Sequence, residues 1–403
     1  MKTAYLTAGV PSISAAIYWK IRFLVGDPAA ILEFDEERAF PEAAPTLNPR
    51  AGKIPGKTRL LIIRDIETQR ARERARADYV ACPADFPPEC GLSGDREIAT
   101  AQSVAEAFRR AGIERVVIDR STPCVYVDAI QKAGIACECD PNRGVVERRS
   151  KDAEELAWIR EAQLATEDAI RKACERIAKA TADQQGRLVA KDGELLTSEN
   201  MRLFIDRTLL DSGYQNVPSI VAGKAHGGDC HDYGTGYLYT GEPIIIDVFP
   251  MNKTTLYNGD CTRTVVHGKI DAEYLRMLDA IKAAKAAATA TIRAGVDGET
   301  VHRATIASFE AHGYGYAAPD TEEAALYPRL THGTGHGLGL SIHEPPLLDF
   351  KGPQLVVGDV VSVEPGLYDK RLGGIRIEDI VAVTEDGCVN LGSPLPETLD
   401  WLD

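Results

Sequence analysis

Four acidic side chains sit where ordinary core strands carry none. In Pro243-Ile244-Ile245-Ile246-Asp247-Val248-Phe249 an aspartate ends an apolar run, and thirteen residues later Asp260 follows in Asn258-Gly259-Asp260-Cys261-Thr262-Arg263-Thr264. Val360-Val361-Ser362-Val363-Glu364-Pro365-Gly366 and Gly374-Ile375-Arg376-Ile377-Glu378-Asp379-Ile380 repeat the device with glutamates. A carboxylate buried in a sheet is costly unless it is paired or binds a metal. One such residue reads as a salt bridge or a strand end open to water. Four of them, beside the cluster Thr331-His332-Gly333-Thr334-Gly335-His336-Gly337-Leu338-Gly339-Leu340-Ser341-Ile342-His343-Glu344-Pro345-Pro346, read as a metal-binding set. The glycines are not a phosphate cradle, since no Lys follows and the spacing fits neither the P-loop nor the dinucleotide fingerprint. They let backbone approach a crowded centre. Four carboxylates and one imidazole suit hard or borderline divalent cations. Two such ions would cancel the four negative charges, whereas one would leave the group anionic and harder to bury.

The elements that must position these residues follow from periodicity. Segments 218–223, 243–249, 257–266, 359–364 and 374–384 read as strands, and the spacing of Asp247 and Asp260 suits a hairpin with both carboxylates side by side. Segments 196–211, 272–293 and 297–312 read as helices. A longer helix starts near Lys151, where Leu156, Ile159, Ala162, Leu164 and Ile170 form an apolar stripe with Ser150 as the N-cap. This gives an α+β catalytic domain over residues 149–403. Residues 1–148 form a smaller α/β domain, with strands at Leu60–Ile63 and Val116–Ile118 and a helix over 97–112. Residues 66–77 carry Arg70, Arg72, Arg74 and Arg76 among acids and mark a solvated helix rather than a basic patch.

The 403 residues include 46 basic and 60 acidic side chains, net -14, with 44% apolar residues. That apolar content excludes disorder, and no apolar run approaches the roughly 20 residues needed to cross a bilayer. Net negative charge argues against nucleic acid as a partner. Residues 1–150 hold 22 basic and 21 acidic groups, leaving 24 and 39 beyond, so the imbalance of -15 lies wholly in the second part, as do all eight histidines. Nine scattered cysteines without a C-x-x-C pair read as reduced thiols in a cytoplasmic protein. Pro11, Ser12 and Ser14 interrupt the apolar start, which reads as domain sequence rather than a secretory leader.

Taken together, I-I-I-D-V, N-G-D-C-T-R-T, H-G-T-G-H-G-L-G-L-S-I-H-E-P-P, S-V-E-P-G-L and G-I-R-I-E-D resemble, in order and spacing, the catalytic domain of the creatinase/aminopeptidase P family, the pita-bread metallopeptidases that include prolidase. The first 148 residues resemble that family's smaller creatinase-type domain through Tyr18-Trp19 and Gly26-Asp27-Pro28. The resemblance implies two divalent ions per chain, Mn²⁺ first, with Co²⁺, Zn²⁺ or Fe²⁺ also suited. Asp247 would hold one ion, Asp260 and Glu378 would bridge, and His336 and Glu364 would bind the second. A hydroxide between the ions would be the nucleophile and Glu364 its proton shuttle. His343 would stabilise the oxyanion, His231 and His332 would line the substrate side, and Arg376 would hold ligand carboxylates.

The implied activity is hydrolysis of Xaa-Pro bonds in small peptides, by an aminopeptidase or a dipeptidase, with a homodimer as the expected assembly. Phe249-Pro250, where peptidases of the family usually have a small residue, keeps a second enzyme reading in view, a lyase or C–N hydrolase of a small zwitterion. An inactive binding protein of the same fold is disfavoured by the complete ligand set, and methionine aminopeptidase by the N-terminal domain. His226, His267, His302 and His312 match no ligand position and read as surface or helix residues. Cys230 and Cys261 are expected to point away from the site, because neighbouring strand residues face opposite sides.

Overall fold

The computed structural model describes residues 1–317, 327–393 and 395–402. The chain divides into two compact units, Met1–Arg148 and Arg149–Asp403.

The first unit is built on a seven-stranded mixed sheet. Its spatial order is Ala44–Pro45, Tyr79–Ala81, Thr58–Ile63, Ala29–Phe34, Thr3–Gly9, Arg115–Asp119 and Ala136–Asp140. Leu60, Leu61, Ile62 and Ile63 are all buried because the sheet is covered on both faces, which is why they read as an unbroken apolar run. Leu60 and Ile62 join Leu6, Leu32 and Phe34 against the helix Arg96–Arg110. Leu61 and Ile63 join Ile31 against Ile17 and Ile21 of the helix Ala15–Ile21 and Ala71 of the helix Thr68–Arg74.

In the second unit the 26-residue helix Ala153–Ala178 lays Ala162, Ile170, Ala173 and Ile177 on a three-stranded sheet of Ile220–Ala222, Pro243–Val248 and Cys261–Val266. Asp152, not Ser150, caps this helix: its carboxylate accepts from the Glu155 N–H and Glu155 returns the bond to the Asp152 N–H. An aspartate one residue before the first helical turn supplies the same acceptor as a serine and adds charge where the helix dipole favours it. Ser150 instead bonds the Val357 carbonyl.

The helices Ala272–Thr291 and Gly298–Ala311 pack beside a four-stranded and a five-stranded sheet. The expected strand 374–384 is two strands. Gly373–Arg376 belongs to the four-stranded sheet and Asp379–Val383 to the five-stranded one, with Ile377 and Glu378 at the crossing. The same happens at Glu364, between Val360–Val363 and Gly366–Asp369. Both glutamates therefore leave the ladders where the chain changes sheet. The expected strand 257–266 begins only at Cys261.

Candidate metal centre

Asp247 lies on Pro243–Val248, which pairs antiparallel with Cys261–Val266 so that Asp247 faces Thr262. Asp260 precedes the second strand by one position and lies two residues from Thr262, on the same face by the period of two. Its N–H donates to Gln163 Oε1 at 2.9 Å, which fixes the strand entry to the long helix. Gly259 makes that approach possible, since a Cβ there would sit 2.3 Å from Thr166 Oγ1 and 2.7 Å from the Ala162 carbonyl oxygen. His336 is carried by the short strand Gly335–Gly337, and its N–H donates to Ser362 Oγ at 2.9 Å.

These elements bring Asp260, His336 and Glu378 together, with ligand atoms all within 4.8 Å of one another. His336 Nε2 lies 3.6 Å from Asp260 Oδ2 and 3.4 Å from Glu364 Oε1. Its Nδ1 contacts the Gly337 carbonyl at 3.2 Å. A carbonyl only accepts, so Nδ1 carries the proton and Nε2 turns a lone pair toward the carboxylates, the tautomer of a metal-binding imidazole. Burial lowers the pKa of His336 further, keeping that lone pair available. Thr262 Oγ1 donates to Glu378 Oε2 at 2.7 Å, and Ser362 Oγ to Glu364 Oε1 at 3.2 Å.

The carboxylates press on one another. Burial, then the charges of Glu378 and Asp247, push Asp260 well above the usual carboxylate range, and burial with Glu364 and Asp247 does the same to Glu378. Burial lifts Glu364 to about 7, with Asp247 adding to the rise and Arg376 opposing it. Four acids, three of them buried and Glu364 partly so, around one guanidinium lack cationic charge. Asp247 Oδ2 accepts from Arg376 Nη2 at 2.7 Å, while the buried Oδ1 of Asp247 has no hydrogen-bond partner among the described residues. An orphaned carboxylate oxygen, a lone pair from His336 and three further acids fit divalent cations in both charge and donor type.

Arg376 also donates to Thr262 Oγ1 at 3.1 Å and to Tyr368 Oη at 2.8 Å. His332 gives its Nδ1 proton to the Gly333 carbonyl at 2.7 Å, so its Nε2 accepts from the Tyr368 hydroxyl at 2.8 Å. A relay thus runs Arg376 to Tyr368 to His332. Burial and then Arg376 depress the pKa of His332 to about 3. With both ring nitrogens engaged, His332 turns its ring rather than a free donor to its surroundings. His343 stands edge-on to His336 with ring centroids 4.2 Å apart, and burial and then the neighbouring His336 lower its pKa. His231 is exposed, in the loop after Ile220–Ala222.

Cys261 is buried in the apolar core behind the sheet, and Cys230 packs beside Ile220, Ala222 and Ile245. His302 is a helix residue but no surface residue: fully buried, it contacts Thr334 Oγ1 through Nδ1 at 3.0 Å, between the rings of Tyr316 and Phe350. Gln163, Ser362 and Tyr368 were not singled out from the sequence. Ser362 shares a strand face with Glu364 and could have been found by period two. Gln163 is a polar residue inside an apolar helical stripe. Tyr368 carries no local signal, because its partners come from other strands.

Residues 157–385, more than half of the chain, match the model of metallopeptidase family M24. Over 201 residues, 49% of this chain, the protein is 33% identical to a probable dipeptidase PepE of Mycobacterium tuberculosis, a match that spans only half (50%) of that relative's length. It is 24% identical over 284 residues to an Xaa-Pro dipeptidase of Pyrococcus horikoshii, covering 70% of this chain and 73% of that one. The fold resembles the crystal structure of an X-Pro aminopeptidase from Thermotoga maritima with a TM-score of 0.75 at 21% identity, over 98% of this chain and 97% of that one. The architecture is accordingly the α+β pita-bread fold with a smaller α/β unit before it.

Proposed function

The chain belongs to metallopeptidase family M24, and from that premise we propose that it is a dinuclear metal-dependent hydrolase acting on the bond before proline in small peptides. The observation that carries the reading is the convergence of the buried Asp260 and Glu378 and the half-buried His336 within 4.8 Å, beside an Asp247 oxygen with no hydrogen-bond partner among the described residues. Asp247 would hold one ion, His336 and Glu364 the other, and Asp260 and Glu378 both. Two divalent ions bound there would supply an activated water and polarise the scissile carbonyl. Glu364 is held by Ser362 at the edge of this set, where it can take a proton from the attacking water and pass it to the leaving amine. His343, whose ring stands against that of His336, would donate to the developing oxyanion. Arg376 fixes one oxygen of Asp247 and, through Tyr368, the ring of His332. His231 on its exposed loop would meet the substrate.

Manganese is the expected metal, a homodimer the expected assembly and the cytoplasm the expected compartment. Among the described residues no helix is long and apolar enough to cross a membrane. The similarity to a probable dipeptidase and to an Xaa-Pro dipeptidase supports a substrate of dipeptide scale. The test is hydrolysis, in Mn²⁺ buffer, of an Xaa-Pro dipeptide, an Xaa-Pro tripeptide and a dipeptide without proline. Cleavage of the dipeptide alone assigns a dipeptidase, and cleavage of the tripeptide an aminopeptidase. Equal turnover of the proline-free dipeptide overturns the proline specificity. Metal-free protein that still hydrolyses any of them overturns the mechanism.

A further inference from the structure

The crossing that carries Glu378 is held from behind by one buried guanidinium. Arg263, 1% exposed, lies three residues after Asp260 on the strand Cys261–Val266. Its Nη1 donates to the Glu378 carbonyl at 2.6 Å and to the Thr262 carbonyl at 2.9 Å, its Nη2 to Asp379 Oδ1 at 2.8 Å, and its Nε to the Pro396 carbonyl at 3.1 Å. Asp379 is paired on its other oxygen with Lys285, which also reaches Glu397 at 2.6 Å. Glu378 in turn donates its N–H to the Thr262 carbonyl at 3.1 Å and accepts the Thr262 hydroxyl on Oε2. The N–H, the carbonyl and one carboxylate oxygen of Glu378 are therefore all held by Thr262 and Arg263, next to Asp260 on the same segment.

That attachment has a physical task. Glu378 stands outside both ladders, so regular strand pairing does not fix it, and the ionised carboxylates of Asp260 and Glu378 repel. A planar fork holds a peptide carbonyl on one nitrogen and a carboxylate on the other at fixed angles, a geometry that a compact ammonium does not reproduce. We propose that Arg263 is a positioning residue of the metal centre: by gripping the Glu378 carbonyl and the Asp379 carboxylate from the strand that follows Asp260, it sets the separation of the two acids that share the ions. The inference rests on the dinuclear reading given above.

The experiment is Mn²⁺ titration of the chelator-treated protein by calorimetry, with thermal midpoints recorded in parallel, for wild type, Arg263→Met, Arg263→Lys and the core variant Ile205→Ala on the helix Ser198–Asp211. Wild type should take up two ions per chain. Arg263→Met leaves Asp379 paired with Lys285 and should weaken Mn²⁺ binding by about 10- to 100-fold, the usual effect of losing a group that orients a ligand. Arg263→Lys should recover much of the thermal midpoint without recovering the affinity. Ile205→Ala should lower the midpoint and leave the affinity unchanged. Wild-type affinity in Arg263→Met, or in Arg263→Lys should the methionine variant not fold, overturns the positioning role and leaves the dinuclear reading standing. Equal loss of affinity in Ile205→Ala overturns it as well, since general loosening would then suffice. A wild type that binds no ions overturns the dinuclear reading itself.

Discussion

The buried pair of Lys151 and Glu344 offers the sharpest energetic test. Lys151 Nζ lies 2.7 Å from Glu344 Oε1, with side chains 1% and 4% exposed, and Glu344 directly follows His343. Space around the pair is closed: a Cβ on Gly339 would fall 2.5 Å from Glu344 Oε1 and 3.2 Å from Lys151 Cε. Lys151→Met removes the ammonium and leaves the Glu344 carboxylate buried without that counter-charge, at a cost of about 3–5 kcal/mol. For a unit of this size about 2–4 °C accompanies each kcal/mol, so the midpoint should fall by about 6–20 °C. Glu344→Gln should cost a similar amount by stranding the ammonium. The double variant Lys151→Met/Glu344→Gln removes both charges, and the two losses should largely cancel instead of adding. Catalysis should follow a different pattern, because the tether on the loop of His343 is lost whichever charge remains: kcat should drop in all three variants. Scanning calorimetry of chelator-treated protein at fixed pH, with steady-state kinetics on the metal-loaded protein, reads both arms. A midpoint shift below about 3 °C in Lys151→Met, or strictly additive losses in the double variant, would refute the argument.

Three further outcomes are expected. His302 is buried and its pKa lowered by that burial, so it is neutral in the folded state while the unfolded residue takes up a proton as pH falls through about 6.5. Its contribution to stability is therefore present above that pH and lost below it, and His302→Asn should flatten the fall between pH 7.5 and 5.5 by at most about 1.4 kcal/mol per pH unit in urea unfolding. An unchanged slope would show that His302 is not buried neutral. Gly335→Ala would put a Cβ 2.0 Å from the Ser362 carbonyl oxygen, forcing apart the strands that carry His336 and lead to Glu364, so the purified variant should retain fewer than two ions by elemental analysis. Tyr368→Phe breaks the relay from Arg376 to His332 without altering the four acids; it should reduce kcat and leave the metal content at the wild-type value.

Much of the site can be read locally. An acid that ends an apolar run, as Asp247 and Glu364 do, is anomalous within a window of a few residues, and glycine on both sides of His336 signals a close approach of backbone. The spacing of Asp247 and Asp260 implied a hairpin, and the strands do pair, although Asp247 faces Thr262 and Asp260 lies one step beyond the strand end. The break at Ile377 and Glu378 was not legible, because Gly373–Arg376 and Asp379–Val383 share one continuous β-type pattern and only their neighbours differ. His302 was likewise illegible as a core residue, since the rings of Tyr316 and Phe350 that enclose it come from other segments.

Residue type and periodicity by themselves determined which side chains could bind cations, that four of them were acids placed on or beside strands, and that the second unit carries both the histidines and the excess negative charge. These are properties of single residues and their near neighbours. Tertiary structure alone decided what each acid touches: Arg376 against Asp247 across 129 positions, Thr262 against Glu378 across 116, Lys151 against Glu344 across 193. A pair so far apart leaves no periodic trace, because its partners meet only after sheets and helices have packed. Burial then sets their electrostatics, turning ordinary carboxylates into a group that needs cations.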